Sequence, residues 1–82
     1  MNMIAYTDYP LRGVQAVKQV ELLGWDGNKY CLIRYMGREY NLKLGYIYTK
    51  PGVLGEVPSV ASSECMKDVP IINTYPEGVV VV

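Results

Sequence analysis

From Tyr40 to Thr49 the chain alternates with a period of two. Tyr40, Leu42, Leu44, Tyr46 and Tyr48 fall on one side, and Asn41, Lys43, Gly45, Ile47 and Thr49 on the other. Successive side chains of a strand point to opposite faces, so this pattern predicts a strand with one buried face and one partly wet face. Leu42 and Leu44 share the first face with the tyrosines, which predicts burial of at least Tyr46. Upstream, the run from Lys29 to about Met36 is bounded by a compact turn signal, Asp26-Gly27-Asn28, and by a reversal over Gly37 to Glu39. The two runs therefore predict an antiparallel meander.

Val14 to Leu23 admits two periods. Val14, Val17, Val20 and Leu23 fit helical spacing, whereas Ala16, Val20 and Leu22 fit a strand interrupted by Lys18. Gly24 either ends such a helix or makes a bulge in such a strand. The β-branched valines and the strands that follow favour the strand. Residues 1–13, with Asp8-Tyr9-Pro10 and Arg12-Gly13, read as an arm or irregular strand ahead of a single small β domain over 14–82. Lys50-Pro51-Gly52 is a turn signal. Gly55 to Pro58 reads as a short edge, and the polar stretch Ser59 to Asp68 has room for one helical turn. Pro70 confines Val69 to Tyr75 to an edge, because proline donates nothing to a ladder. Tyr75-Pro76-Glu77-Gly78 turns the chain into a terminal strand, Val79 to Val82.

Five or six short strands with tight turns and one short helical turn define a mainly β protein, expected as a small barrel or a strongly curved antiparallel meander. Trp25-Asp26-Gly27 leading into Lys29-Tyr30, and then into a second tyrosine-rich strand, resembles SH3-like and Tudor-like barrels over about residues 14 to 75. In such families an aromatic surface beside variable turns binds peptides, modified side chains or nucleic acid. The resemblance implies Trp25, Tyr30 and Tyr35 as the corresponding positions, and implies function only as far as a fold does.

Composition narrows the rest. At 82 residues, half of them hydrophobic, the chain has material for one core and not two. Its longest apolar runs, the valines of Val79 to Val82 among them, fall far short of the roughly 20 residues that cross a bilayer. No secretory leader pattern opens the sequence, so a cytoplasmic location is expected, with no membrane partner. Cys31 and Cys65 lack CxxC spacing and have no histidine beside them. Cys31 lies in an apolar run and reads as a small buried hydrophobe.

The absence of histidine removes the commonest proton shuttle and metal ligand, and with it Ser-His-Asp and Cys-His arrangements. Ser59, Ser62 and Ser63 near Glu64 and Asp68 read as a solvated turn or helix cap. The acids Asp26, Glu39, Glu56, Glu64, Asp68 and Glu77 are scattered over separate turns, and Gly52 and Gly55 lack the lysine of a phosphate-binding loop. No catalytic, metal-ligating or cofactor-binding residue is assigned, and the expectation is a protein that is not an enzyme. A small hydrolytic enzyme is the third reading.

Five of the eight tyrosines lie between Lys29 and Lys50, where Lys29, Arg34, Arg38, Lys43 and Lys50 against Glu39 give a local charge of +4 in a chain of net charge zero. The first reading is a protein–protein interaction module, a small regulatory or host-modulating protein of the kind that viruses and mobile elements encode. Trp25, Tyr30, Arg34, Tyr35, Arg38 and Lys43 are its expected binding residues, and its partner is expected to offer acidic groups. The second is a domain for RNA or single-stranded nucleic acid, with tyrosines stacking bases and basic residues meeting phosphates. Against it, the part from Pro51 onward carries −3 (Lys67 against Glu56, Glu64, Asp68 and Glu77). Val79, Val80, Val81 and Val82 are a further candidate surface, pairing with another copy to make a homo-oligomer or closing internally.

Overall fold

The apolar alternation becomes strand wherever two turns bring it back beside itself. The computed structural model describes residues 3–50 and 58–82, and among these are β1 (Met3–Thr7), β2 (Lys18–Trp25), β3 (Tyr30–Tyr35), β4 (Arg38–Lys43) and β5 (Val80–Val81). They form one sheet in the order β1-β2-β3-β4-β5. The first three pairings are antiparallel and the last is parallel.

The register sorts side chains into two faces. Met3, Leu22, Ile33 and Tyr40 stand in one cross-strand row, Trp25, Cys31 and Leu42 in another, and Ala5 opposite Val20 in a third. Together they make the sheet side of the core, which Leu11, Ile47, Ala61, Met66 and Val69 close from segments outside the sheet. Leu11, Ile33, Leu42, Ile47 and Met66 are fully buried, and each contributes roughly 1.5–3 kcal/mol from removal of its apolar surface from water. The opposite face carries the row Ile4–Glu21–Arg34–Glu39.

β2 begins at Lys18, so the strand reading holds for the second half of 14–23, while Val14 and Val17 lie outside it and are exposed. Gly24 sits at a bulge, where the β2–β3 register shifts between Leu22 and Gly24. A Cβ there would stand 2.8 Å from Ile72 Cγ2, so glycine is what lets the returning chain lie against the sheet. That return is held by Trp25 N–H donating to Pro70 O and Ile72 N–H donating to Trp25 O, at 3.0 and 2.9 Å. It makes a single parallel bridge, Trp25 to Ile71, where an edge was expected over Val69 to Tyr75. One helical turn does form within Ser59 to Asp68, with Met66 N–H reaching Ser62 O and Ser63 O.

Two expectations are corrected. The strand expected from Tyr40 to Thr49 ends at Lys43, because Leu44–Tyr46 winds into a 3-10 turn. That turn shifts the phase of the alternation: Ile47 is buried at 1% exposure and Tyr46 stands out at 39%, the reverse of the expected faces. The SH3-like or Tudor-like barrel, and equally the strongly curved antiparallel meander, is also overturned. The sheet is open and mixed, and β1 and β5 are its two ends. The physical reason lies in the returning chain, which bridges β2 at Trp25 and then adds β5 parallel to β4 at the far end of the sheet. The last strand thus extends the sheet outward, with Tyr40 opposite Val80 and Asn41 opposite Val81. The turn expected at Lys50 to Gly52 and the edge at Gly55 to Pro58 fall largely outside the described residues. No helix among the described residues is long and apolar enough to cross a membrane.

Candidate functional site

The β3–β4 hairpin turns through Met36 and Gly37, whose φ values of 54° and 77° are both in the left-handed region. Such a turn matches the twist of the strands it joins, and its first central position is ordinarily Asn, Asp or Gly. Here that position is a methionine at 69% exposure. Arg12-Gly13 repeats the same backbone, with φ of 53° and 81°, but its exposed residue is charged, as water favours.

Around Met36 the sheet places charged and apolar groups side by side. Arg34 stands between Glu21 and Glu39 in the cross-strand row, with its Nη1 3.5 Å from Glu21 Oε2. Both partners are well exposed, so this pair adds little to stability. Arg34 also lines two shallow concavities. One, of about 310 Å3, is shared with Arg38, Glu39, Glu77 and the backbone of Gly37 and Gly78. The other, of about 260 Å3, is shared with Ile4, Gln19, Glu21, Tyr35 and Met36. Ile4 is 47% exposed, so Ile4 and Met36 supply apolar surface within a charged rim.

The Lys18 ammonium lies 6.0 Å from the ring centroid of Tyr35. Lys18 is itself buried and donates to Ala16 O and Thr7 O at 3.0 and 3.5 Å. Burial lowers its pKa, and Asp8 acts in the opposite sense. The sequence showed Lys18 only as an interruption. Its burial depends on the chain between β1 and β2 folding back over it.

The six expected binding residues do not form one site. Arg34, Tyr35 and Arg38 gather at the hairpin tip, whereas Tyr30 and Lys43 are opposite each other at the other end of β3, roughly 16 Å away along the strand. There Lys29 Nζ lies 5.8 Å from the Tyr30 ring centroid. Asp26 Oδ1 fixes the preceding turn by accepting from the N–H groups of Asn28 and Tyr30. Trp25 is in the core, 6% exposed.

Two further groupings were not expected. Tyr6 and Tyr48 bridge through paired backbone hydrogen bonds, and the rings of Tyr9 and Tyr46 lie 4.9 Å apart, so two tyrosine pairs each join distant parts of the chain. Tyr48 Oη donates to Asp8 Oδ2 at 3.3 Å, and burial together with this carboxylate raises its pKa. Elsewhere Cys65 is exposed, its Sγ accepting from Ser62 Oγ at 3.4 Å, beside an apolar concavity lined by Met3, Leu22, Ile47 and Met66. Among the described residues no three of His, Cys, Asp and Glu come together as a metal would require.

No protein-family model, curated protein or solved structure matches this chain.

Proposed function

We propose that this chain is a non-enzymatic protein-binding module whose contact surface is the β3–β4 hairpin tip, with Met36 as its apolar anchor and Arg34, Tyr35 and Arg38 around it. One observation carries the reading: Met36 is a large apolar side chain held in the left-handed region and left in water. A residue with a Cβ gives up about 1 kcal/mol there relative to glycine, and an exposed methionine recovers none of it by burial. Folding therefore does not account for it, whereas an adaptable thioether anchor at an interface does. Arg34 and Arg38 alternate with Glu21, Glu39 and Glu77 around it, which fits a partner surface bearing both signs of charge better than a purely acidic one. A polyphosphate is a poor match for that mixture, because the basic residues are divided between the two ends of β3 instead of making one stripe. A cytoplasmic setting goes with this reading, since both cysteines are free thiols and one is exposed.

The test uses Met36→Asn. Asparagine is a favoured residue at this turn position, so the variant should fold and gain roughly 0.5–1 kcal/mol in urea unfolding. Affinity capture from a native extract treated with nuclease should recover a stoichiometric protein with the natural chain and lose it with Met36→Asn and with Arg34→Ala/Arg38→Ala. Retention of the same partner by folded Met36→Asn would refute the assignment. Capture that vanishes with nuclease would transfer the binding role to the Lys29–Tyr30–Lys43 end.

A further inference from the structure

We infer that β5 is the dimerisation edge of this protein, and that its occupant is β5 of a second copy, running antiparallel about a two-fold axis at Val81. The observation behind this is independent of the hairpin tip. The two ends of the sheet are treated differently. At the β1 end, Tyr6 exchanges backbone hydrogen bonds with Tyr48, and Tyr48 bridges on to Val60, so that edge is partly covered. At the β5 end, nothing among the described residues pairs on the outer side of Val80–Val81. An edge strand is normally protected by a charge, a proline or a bulge. Val79 to Val82 has none of these, and Val81 is 72% exposed.

The hydrogen bonding of β5 to β4 fixes which residue is available. Val82 N–H donates to Asn41 O, and Asn41 is the Cα partner of Val81. In parallel pairing a residue is bracketed by the two neighbours of its partner, so Val80 and Val82 bond toward β4 while the N–H and C=O of Val81 point away from it. A single residue with both groups free suits a two-fold axis: Val81 and its symmetry mate can exchange both hydrogen bonds as a narrow antiparallel pair. The two valine side chains then stand directly opposite, a favourable pairing of β-branched residues.

Charge selects a second copy of this chain as the occupant. On the face of β4 that carries Asn41, Glu39 lies two residues before it and Lys43 two residues after. A two-fold at Val81, the partner of Asn41, places Glu39 of one copy level with Lys43 of the other, and the reverse, across three strand spacings of roughly 14 Å between Cα atoms. Glu and Lys side chains are long enough to close part of that gap, which brings the attraction toward one screening length, and it appears twice. Parallel association would instead bring like charges level. The chain's net charge of zero adds no general repulsion. Because β5 is only two residues long, the dimer is a concentration-dependent one, not an obligate one.

Sedimentation equilibrium of the full chain from micromolar to millimolar concentration tests this, with thermal melts to establish folding. The natural chain should approach twice its 9.2 kDa mass. Val81→Lys changes an exposed side chain, so it should fold normally and remain monomeric over the same range. Lys43→Glu should weaken the dimer several-fold at low salt, and Glu39→Lys/Lys43→Glu should restore it. Glu39→Lys alone sets a lysine opposite Arg34, so Lys43→Glu is the cleaner single change. A natural chain that stays monomeric throughout overturns the proposal, as does a dimer indifferent to Val81→Lys. A folded double reversal as weak as Lys43→Glu overturns the antiparallel arrangement.

Discussion

Cys31 and Cys65 are both free, but the fold gives them opposite chemistry. Cys31 is completely buried, and burial, reinforced by Asp26, pushes its thiol up to about 12. Cys65 is exposed, and its hydrogen bonds with Ser62 pull its thiol down. Since the thiolate is the nucleophile, a disulfide reagent at neutral pH should modify Cys65 promptly and Cys31 only at the rate of global unfolding. Ser62→Ala should slow the fast phase several-fold and leave the slow one unchanged; two equally fast thiols would refute this. The hydroxyl of Tyr75 is buried with no hydrogen-bond partner among the described residues. An unpaired buried hydroxyl costs free energy, so Tyr75→Phe should match or exceed the natural chain in stability, and a loss of about 1 kcal/mol or more would show a missed partner. Of these residues, only Cys31 could be placed from the sequence, since Tyr30 and Leu32 flank it in an apolar run. Met36 and Lys18 were not legible as they stand, because the first depends on a turn conformation and the second on a segment folding over it.

Turns set by two or three adjacent residues were readable, and pairings set by distant ones were not. Asp26-Gly27-Asn28 locks its own turn through the Asp26 carboxylate, and Gly24, directly after Val14 to Leu23, was already a candidate for either a helix end or a bulge. The 3-10 turn at Leu44–Tyr46 was hidden because its residues continue the period of β4, and only the placement of Ile47 in the core shows that the chain has rotated. The parallel direction of β5 was hidden for a similar reason: it follows from where the returning chain is anchored, at Trp25. Gly24 is central to that anchor. Gly24→Ala puts a methyl group 2.8 Å from Ile72 Cγ2, so the Ile72 side chain must yield, with Pro70 O closing the other side at 3.4 Å. The expected loss is roughly 1–3 kcal/mol in urea unfolding, with faster amide exchange at Trp25 and Ile72 than the global loss explains. A loss below about 0.5 kcal/mol would mean that the return segment moves aside freely and does not direct β5.

For the whole molecule, the shifted titrating groups place its sensitivity to pH on the alkaline side. There is no histidine, the one side chain that ordinarily titrates just below neutral. Cys31, Tyr75 and Tyr48 all have raised pKa values, with burial as the largest cause in each. A group raised in the folded state contributes stability that is fully present below its unfolded pKa, about 8.5 for cysteine and 10 for tyrosine, and lost as pH rises through the folded value. Lys18 and Cys65 act the other way, because their lowered values favour the deprotonated form in the fold. Three acids outweigh these two, so urea midpoints should begin to fall at about pH 9 and fall faster toward pH 11. Tyrosinate absorbance from Tyr48 and Tyr75 should rise together with unfolding. Cys31→Ala separates the contributions: it lowers stability at pH 7 by leaving a small cavity, and it removes one proton's worth of slope above pH 9. The natural chain and the variant should therefore converge as pH rises. Parallel curves would show that Cys31 ionises as easily in the fold as out of it, which contradicts its complete burial between Trp25 and Leu42.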